Sequence, residues 1–243
     1  MNWRLALLIA LVATPGPVAI SWLALPILVD PNNIPVPLAT LQIAAAIQSI
    51  VLVVLASVIG TRLSVKVGLR APAFNALAHG HGLFLGLRPQ WLPGAIGGIT
   101  GATIVLSFYA FAPSALTIIE EQGSIPLAAR LLYGGISEEV LIRWGLMTLL
   151  AWTGWRVLQR GSGEVSVVVI WCAIAISALI FGISHVPSVA AVMGTVPASI
   201  VAYITVGNAL FGLVAGYLFW RYGLESAIIA HVLTHILVYA VRG

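Results

Sequence analysis

Residues 134–144 read GGISEEVLIRW and place Glu138, Glu139 and Arg143 inside a run that is otherwise apolar. At the centre of a bilayer each such group costs about 2.5–3.5 kcal/mol on insertion scales. A chain with few charges has spent three of them within six consecutive positions. Ionisable residues kept at that cost mark a functional site by default.

Outward from this stretch, the composition sets the class. The chain has 243 residues, 60% hydrophobic and 7% charged, where a soluble domain carries about 25% charged residues. Mean hydropathy is +1.08. The expectation is an all-α polytopic transmembrane bundle of about seven spans, partnered by the lipid bilayer, with the site in an intramembrane cavity. The net charge of +4 comes from basic residues lying mostly between apolar runs. It therefore speaks of membrane topology and not of nucleic acid. Cys172 is the one cysteine, which excludes an intramolecular disulfide and a Cys-based metal site. Its expected place is as a small packing residue in a buried helix.

Residues 5–29 read as a first span kinked at Pro15, Pro17 and Pro26, too long for a cleaved signal. Residues 30–37 form a Pro/Asn-rich turn, and 38–60 a second span. The polar stretch 61–90 suits a helix lying in the interface. Its His79 and His81 sit in a Gly-rich turn, as solvated residues rather than a His-x-His metal pair. The third span covers 91–112, where Gly94 and Gly98 allow close helix approach. Residues 113–126 make a loop with Glu120 and Glu121 in an acidic turn. Further spans follow at 127–152, 166–186, 198–220 and 226–241, with a break expected over 187–197. Gly212 and Gly216 read as a packing seam, and Asn208 as lining the cavity or bridging helices. The loops at 61–90, 154–165 and 221–225 hold Arg and Lys, whereas those at 30–37, 113–126 and 187–197 hold none. That asymmetry puts the N-terminus in the cytoplasm and the C-terminus outside. The expected location is the plasma (inner) membrane of a prokaryote.

Three groups of polar residues fall inside spans. Glu139 and Arg143, four apart with the acid first, face each other as an ion pair. Glu138 is rotated about 100° from Glu139 on an α-helix and is left to address a cavity as a general acid or base. The alternative is an ion-pair cluster that only bridges helices. In FGISH (181–185), Phe181 can pack beside His185 and fix its ring. In HVLTH (231–235), His231 and His235 share a helix face at the spacing of two zinc ligands, without an HExxH motif.

The three motifs EEVLIR (138–143), FGISH (181–185) and HVLTH (231–235), in this order on separate spans, resemble the CAAX protease and bacteriocin-processing family of intramembrane endopeptidases. That family includes the eukaryotic Ras-converting prenyl-protein endopeptidase. The stretch GYLFWRYGLESAIIAH (216–231) looks like the family's approach to its last motif. The resemblance implies a division into N-terminal spans (1–126) and a catalytic membrane domain (127–243). It implies peptide-bond hydrolysis of a peptide or membrane-protein substrate. Glu138 with His185 would activate a water, Glu139 and Arg143 would hold Glu138, and His231 and residue 235 would stabilise the oxyanion. The family usually has Asn or Asp where this chain has His235. Glu138, His185, His231 and His235 could thus equally hold zinc in a metalloprotease, and a metal-free mechanism stays open beside it.

Counted along the spans, Glu138 and His235 fall near mid-membrane but His185 near the end of its helix. Either the fifth span runs past Pro187 or the site lies off-centre. A non-catalytic membrane protein that binds a partner with the same motifs is the second reading. An ion-coupled transporter is the third, disfavoured by the lack of matching broken helices in two halves.

Overall fold

The structure, a computed structural model, describes residues 2–30, 34–116 and 125–242. Glu120 and Glu121 lie outside the described residues. Among those described there is helix and no strand. We number the helices α1 (Trp3–Leu28), α2 (Leu38–Val67), α3 (Pro72–Ala78), α4 (Leu83–Ala110), α5 (127–158), α6 (Val167–Met193), α7 (Ala198–Arg221) and α8 (Leu224–Arg242).

All of these except α3 and α5 are long and apolar enough to cross a membrane. Helix α5 matches them in length but carries the charged cluster, and it is the helix the others surround. It packs against α1, α2, α6, α7 and α8, and Glu139, Arg143 and Trp144 on it are essentially inaccessible. Charges that lipid would not tolerate are thus walled off by helices that lipid does tolerate. One core cluster takes residues from both ends of the chain, from Leu5 and Ile9 through Trp144 to Phe219 and Leu224.

Helix α1 passes its three prolines without ending, through a π-helical stretch at Ile20–Ala24. The polar stretch 61–90 is not one interfacial helix. Its start extends α2 to Val67, where Gly68 turns the chain at φ 71°. Its middle is the seven-residue α3, and from Leu83 it belongs to α4. Tertiary bonds hold this corner together. Glu225 Oε1 accepts from Phe74 N at 2.7 Å, and Gln90 Oε1 accepts from Ser226 N at 3.0 Å, so both α3 and α4 are tied to the start of α8. His79 and His81 are exposed, and His79 bonds only its own helix end, at Asn75 O.

Small residues set the close pairs. Gly94 and Gly98 lie against Ile229 and Leu233 of α8, and Thr234 Oγ1 donates to Gly98 O at 3.1 Å. Gly212 and Gly216 lie against Ala178 and Ile174 of α6. Both seams are those expected from the sequence, and each fixes the rotation of a helix that carries a candidate residue.

Two further expectations fail. Cys172 is exposed on the outer face of α6, not buried, because lipid and core are equally apolar and hydropathy does not separate them. The stretch 187–197 is largely helical. After a turn at Ser184 and His185, Val186–Met193 follows with Pro187 in its first turn, where a missing N–H leaves no bond unmade. The fifth span therefore runs past Pro187, and His185 lies within a helical span of 27 residues.

Candidate active site

Helix α5 departs from α-geometry on both sides of the acid pair. Residues Arg130–Ser137 and Val140–Met147 are π-helical, a form that occurs mostly as short insertions at functional sites. A hydroxyl residue at the end of the first stretch, and one just after the second, each reach a carbonyl five positions back. The single O–H of Ser137 is shared between Ala13 O of α1 at 2.6 Å and Leu132 O at 3.0 Å. Thr148 Oγ1 donates to Arg143 O at 3.2 Å. The wider turn brings positions five apart closer than on an α-helix. Glu138 stands five positions from each of Tyr133 and Arg143 along this helix.

The ion pair expected from spacing is present. Glu139 Oε2 lies 3.2 Å from Arg143 Nε, and both side chains are fully buried. The other oxygen of Glu139 accepts from His231 Nδ1 of α8 at 2.8 Å. Arg143 Nη2 reaches Gly212 O of α7 at 3.4 Å, and its guanidinium stacks 4.7 Å from the Phe181 ring of α6. One carboxylate thereby joins the first and third motifs, and one aromatic ring joins the second. Phe181 meets His185 edge-on at 4.7 Å and His231 at 5.9 Å. The three motifs, dispersed over nearly a hundred residues, converge on a single place. Glu138 is the carboxylate left half-buried outside the ion pair.

Hydrogen bonding assigns the imidazole tautomers. The acceptor at His231 Nδ1 is a carboxylate and that at His185 Nδ1 is Phe181 O, at 2.8 Å. Both Nδ1 atoms must carry the proton, so each neutral ring presents a bare Nε2. His235 differs. Its ring stacks on His231 at 4.8 Å and 21°, and its Nε2 is buried without a hydrogen-bond partner among the described residues. That nitrogen packs on the α-carbon side of Gly134, where an added Cβ would lie 2.5 Å from it. Replacing Gly134 with Ala is expected to push the imidazole out of place. Any catalysis that uses His235 should fall by about 10²-fold, the usual cost of a small misplacement in a site, with the melting temperature nearly unchanged. Unaltered kinetics in that variant would show that the position of His235 does not matter.

The zinc expectation meets this geometry directly. A bare Nε2 on His185 and His231 is the state that a metal ligand needs. The rings of His231 and His235 are stacked, with centroids 4.8 Å apart. Among the described residues no three His, Cys, Asp or Glu side chains are gathered to hold an ion. The expected donors do not fit a zinc centre as arranged, and no step below runs through a metal.

Sequence reading singled out six residues, and the structure bonds or stacks Glu139, Arg143, His185, His231 and His235 around Phe181, with Glu138 beside them. It missed Phe211, whose ring lies 4.6 Å from His231, and Gly134. Neither carries a charge or a motif that would betray it. Asn208 lines a cavity and donates to Ile204 O on its own helix, with no bridge to another.

In comparison with known proteins, residues 121–237 match the family model described as type II CAAX prenyl endopeptidase, Rce1-like. No curated protein and no solved structure matches the chain.

Proposed function

Residues 121–237 belong to the Rce1-like family of type II CAAX prenyl endopeptidases, a family of membrane proteases, and from that membership we propose that this integral membrane protein hydrolyses peptide bonds inside the bilayer by a metal-free Glu/His mechanism. The observation that carries the reading is the commitment of Glu139 to both Arg143 and His231. It leaves Glu138 as the acid free to work on water.

In the proposed step, Glu138 takes a proton from a water while the bare Nε2 of His185 orients it, and the hydroxide adds to the scissile carbonyl carbon. Charge gathers on the carbonyl oxygen. His235 Nε2–H is the donor suited to meet it, since that nitrogen has no partner among the described residues. His231 can donate there only when doubly protonated, with Glu139 as its counter-ion. The tetrahedral intermediate then collapses, the C–N bond breaks, and Glu138 returns its proton to the leaving amine. A His at 235 thus supplies the hydrogen bond that Asn or a protonated Asp would supply elsewhere in the family.

The test is cleavage of a quenched peptide library by the purified protein in detergent, with and without phenanthroline. Cleavage unaffected by the chelator is the expected result. Its loss, restored by added zinc, would overturn the metal-free step. No turnover on any peptide by the folded protein would move the reading to a non-catalytic binding protein.

We place the N-terminus in the cytoplasm, supported by Arg62, Lys66, Arg70, Arg88, Arg156, Arg160 and Arg221 on one face of the bundle. With Cys172 changed to Ser, a cysteine placed at Ser188 should react with a membrane-impermeant maleimide added outside intact cells. Reaction only after lysis would reverse the orientation.

A further inference from the structure

His231 is buried on α8, and the helix does not set where its ring points. Torsion about the Cβ–Cγ bond of a histidine is broad and roughly two-fold. The hydrogen bond from Nδ1 to Glu139 Oε1 at 2.8 Å fixes one corner of the imidazole. The ring can still swing about that line, so a second contact, off the line, has to hold Nε2.

Among the described residues three rings surround it. His235 stacks on it at 4.8 Å, but His235 Nε2 has no hydrogen-bond partner among the described residues. His235 therefore takes its place from His231 and does not fix it. Phe181 meets His231 edge-on at 5.9 Å and is shared with Arg143 and His185. Phe211 of α7 is the nearest of the three, at 4.6 Å and tilted by 54°, within the range of about 4.5–7 Å for favourable aromatic pairs.

Phe211 is itself held. Its ring packs on Phe181 at 6.4 Å, and its helix contacts both α4 and α8. On the α4 side, a Cβ added at Gly101 would lie 2.7 Å from its Cδ2. The missing side chain at Gly101 leaves the room that the phenyl ring fills. At 3% exposure Phe211 has almost no surface to offer a substrate. It carries no charge and makes no hydrogen bond through its side chain. What it can do is bar the swing of His231.

We propose that Phe211 is a positioning residue for hydrolysis. It braces the His231 imidazole and, through the stacked pair, sets where His235 Nε2 lies. Groups that meet developing charge have to be held to within about 0.5 Å and 10–20° by packing of this kind. The consequence for cleavage rests on the endopeptidase reading; the bracing of the ring does not.

Phe211→Met keeps most of the bulk of the side chain but not its rigid ring. Full-length protein labelled with 15N-histidine carries five labelled side chains, and His231→Gln assigns the signal of His231 by its loss. A proton between Nδ1 and a buried carboxylate is expected as a sharp, slowly exchanging downfield resonance in the wild type. In Phe211→Met that resonance should broaden beyond detection, with the melting temperature in the same detergent nearly unchanged. On the quenched peptides kcat should fall about 10²-fold, the cost of a small misplacement, with KM nearly unchanged. Phe211→Leu gives the same readings if the methionine variant does not fold. Failure of both to fold would make Phe211 structural and overturn the proposal. An unchanged resonance in a folded variant overturns it whether or not the protein cleaves, and so does a lost resonance with kcat intact. A lost resonance in a protein whose wild type cleaves nothing would keep the brace and remove the protease, whereas wild-type cleavage with an unchanged resonance would do the reverse.

Discussion

Glu138→Gln is expected to lower kcat/KM for peptide cleavage by about 10²–10⁴-fold, the contribution of a positioned general base, with folding and membrane insertion intact. Glutamine keeps the shape and the hydrogen bonding of the side chain but cannot take a proton from water. The fold should survive because Glu138 is only half-buried and stands outside the ion pair that Glu139 makes with Arg143. Kinetics on the purified variant, beside its thermal unfolding in the same detergent, read both halves. A variant that retains more than a tenth of wild-type turnover would remove Glu138 from the chemistry. Unfolding in step with the lost activity would make it structural instead.

Glu139 and Arg143 should behave in the opposite way, with stability lost first. Removing one member leaves the other charge in a site with no solvent access. Breaking a buried pair in this manner costs about 3–5 kcal/mol. Arg143→Met alone and Glu139→Leu alone are therefore expected to unfold at markedly lower denaturant concentration than the wild type. Combining them should recover most of the stability, since two apolar side chains of similar bulk can replace a buried pair almost neutrally. Activity should not return in the double variant, because His231 loses the oxygen that holds its Nδ1 proton at 2.8 Å. A double variant no more stable than either single one would show that the pair does not act as a unit. Recovered cleavage would show that His231 needs no carboxylate.

Together the two results would separate the acids that the sequence places side by side. Glu138 and Glu139 have the same chemistry and adjacent positions. What divides them is partnership: one is enclosed between a guanidinium and an imidazole, the other is half-buried outside that pair.

Local geometry decided which parts of the site could be read in advance. The pairing of Glu139 with Arg143 and of Phe181 with His185 follows from a separation of four on a helix. Each is present in the fold. The bond from His231 to Glu139 spans 92 positions, and no spacing rule reaches that far. The π-helical turns were equally hidden, since one of them is tied to α1 through Ser137 and Ala13 O.

The amino-acid sequence by itself determined the membrane class, the number of spans to within the status of α5, the order of the three motifs and the seams at Gly94, Gly98, Gly212 and Gly216. These follow from composition, apolar run length and the small volume of glycine, all of which act within one helix or across its nearest face. Only the tertiary structure decided which side of each span meets lipid, as the exposed Cys172 records. Lipid tails and protein core are alike in polarity, so hydropathy carries no inside or outside. The same assembly extended α6 past Pro187, stacked His235 on His231, and separated the roles of two neighbouring glutamates. Each outcome depends on contacts between residues far apart in the chain.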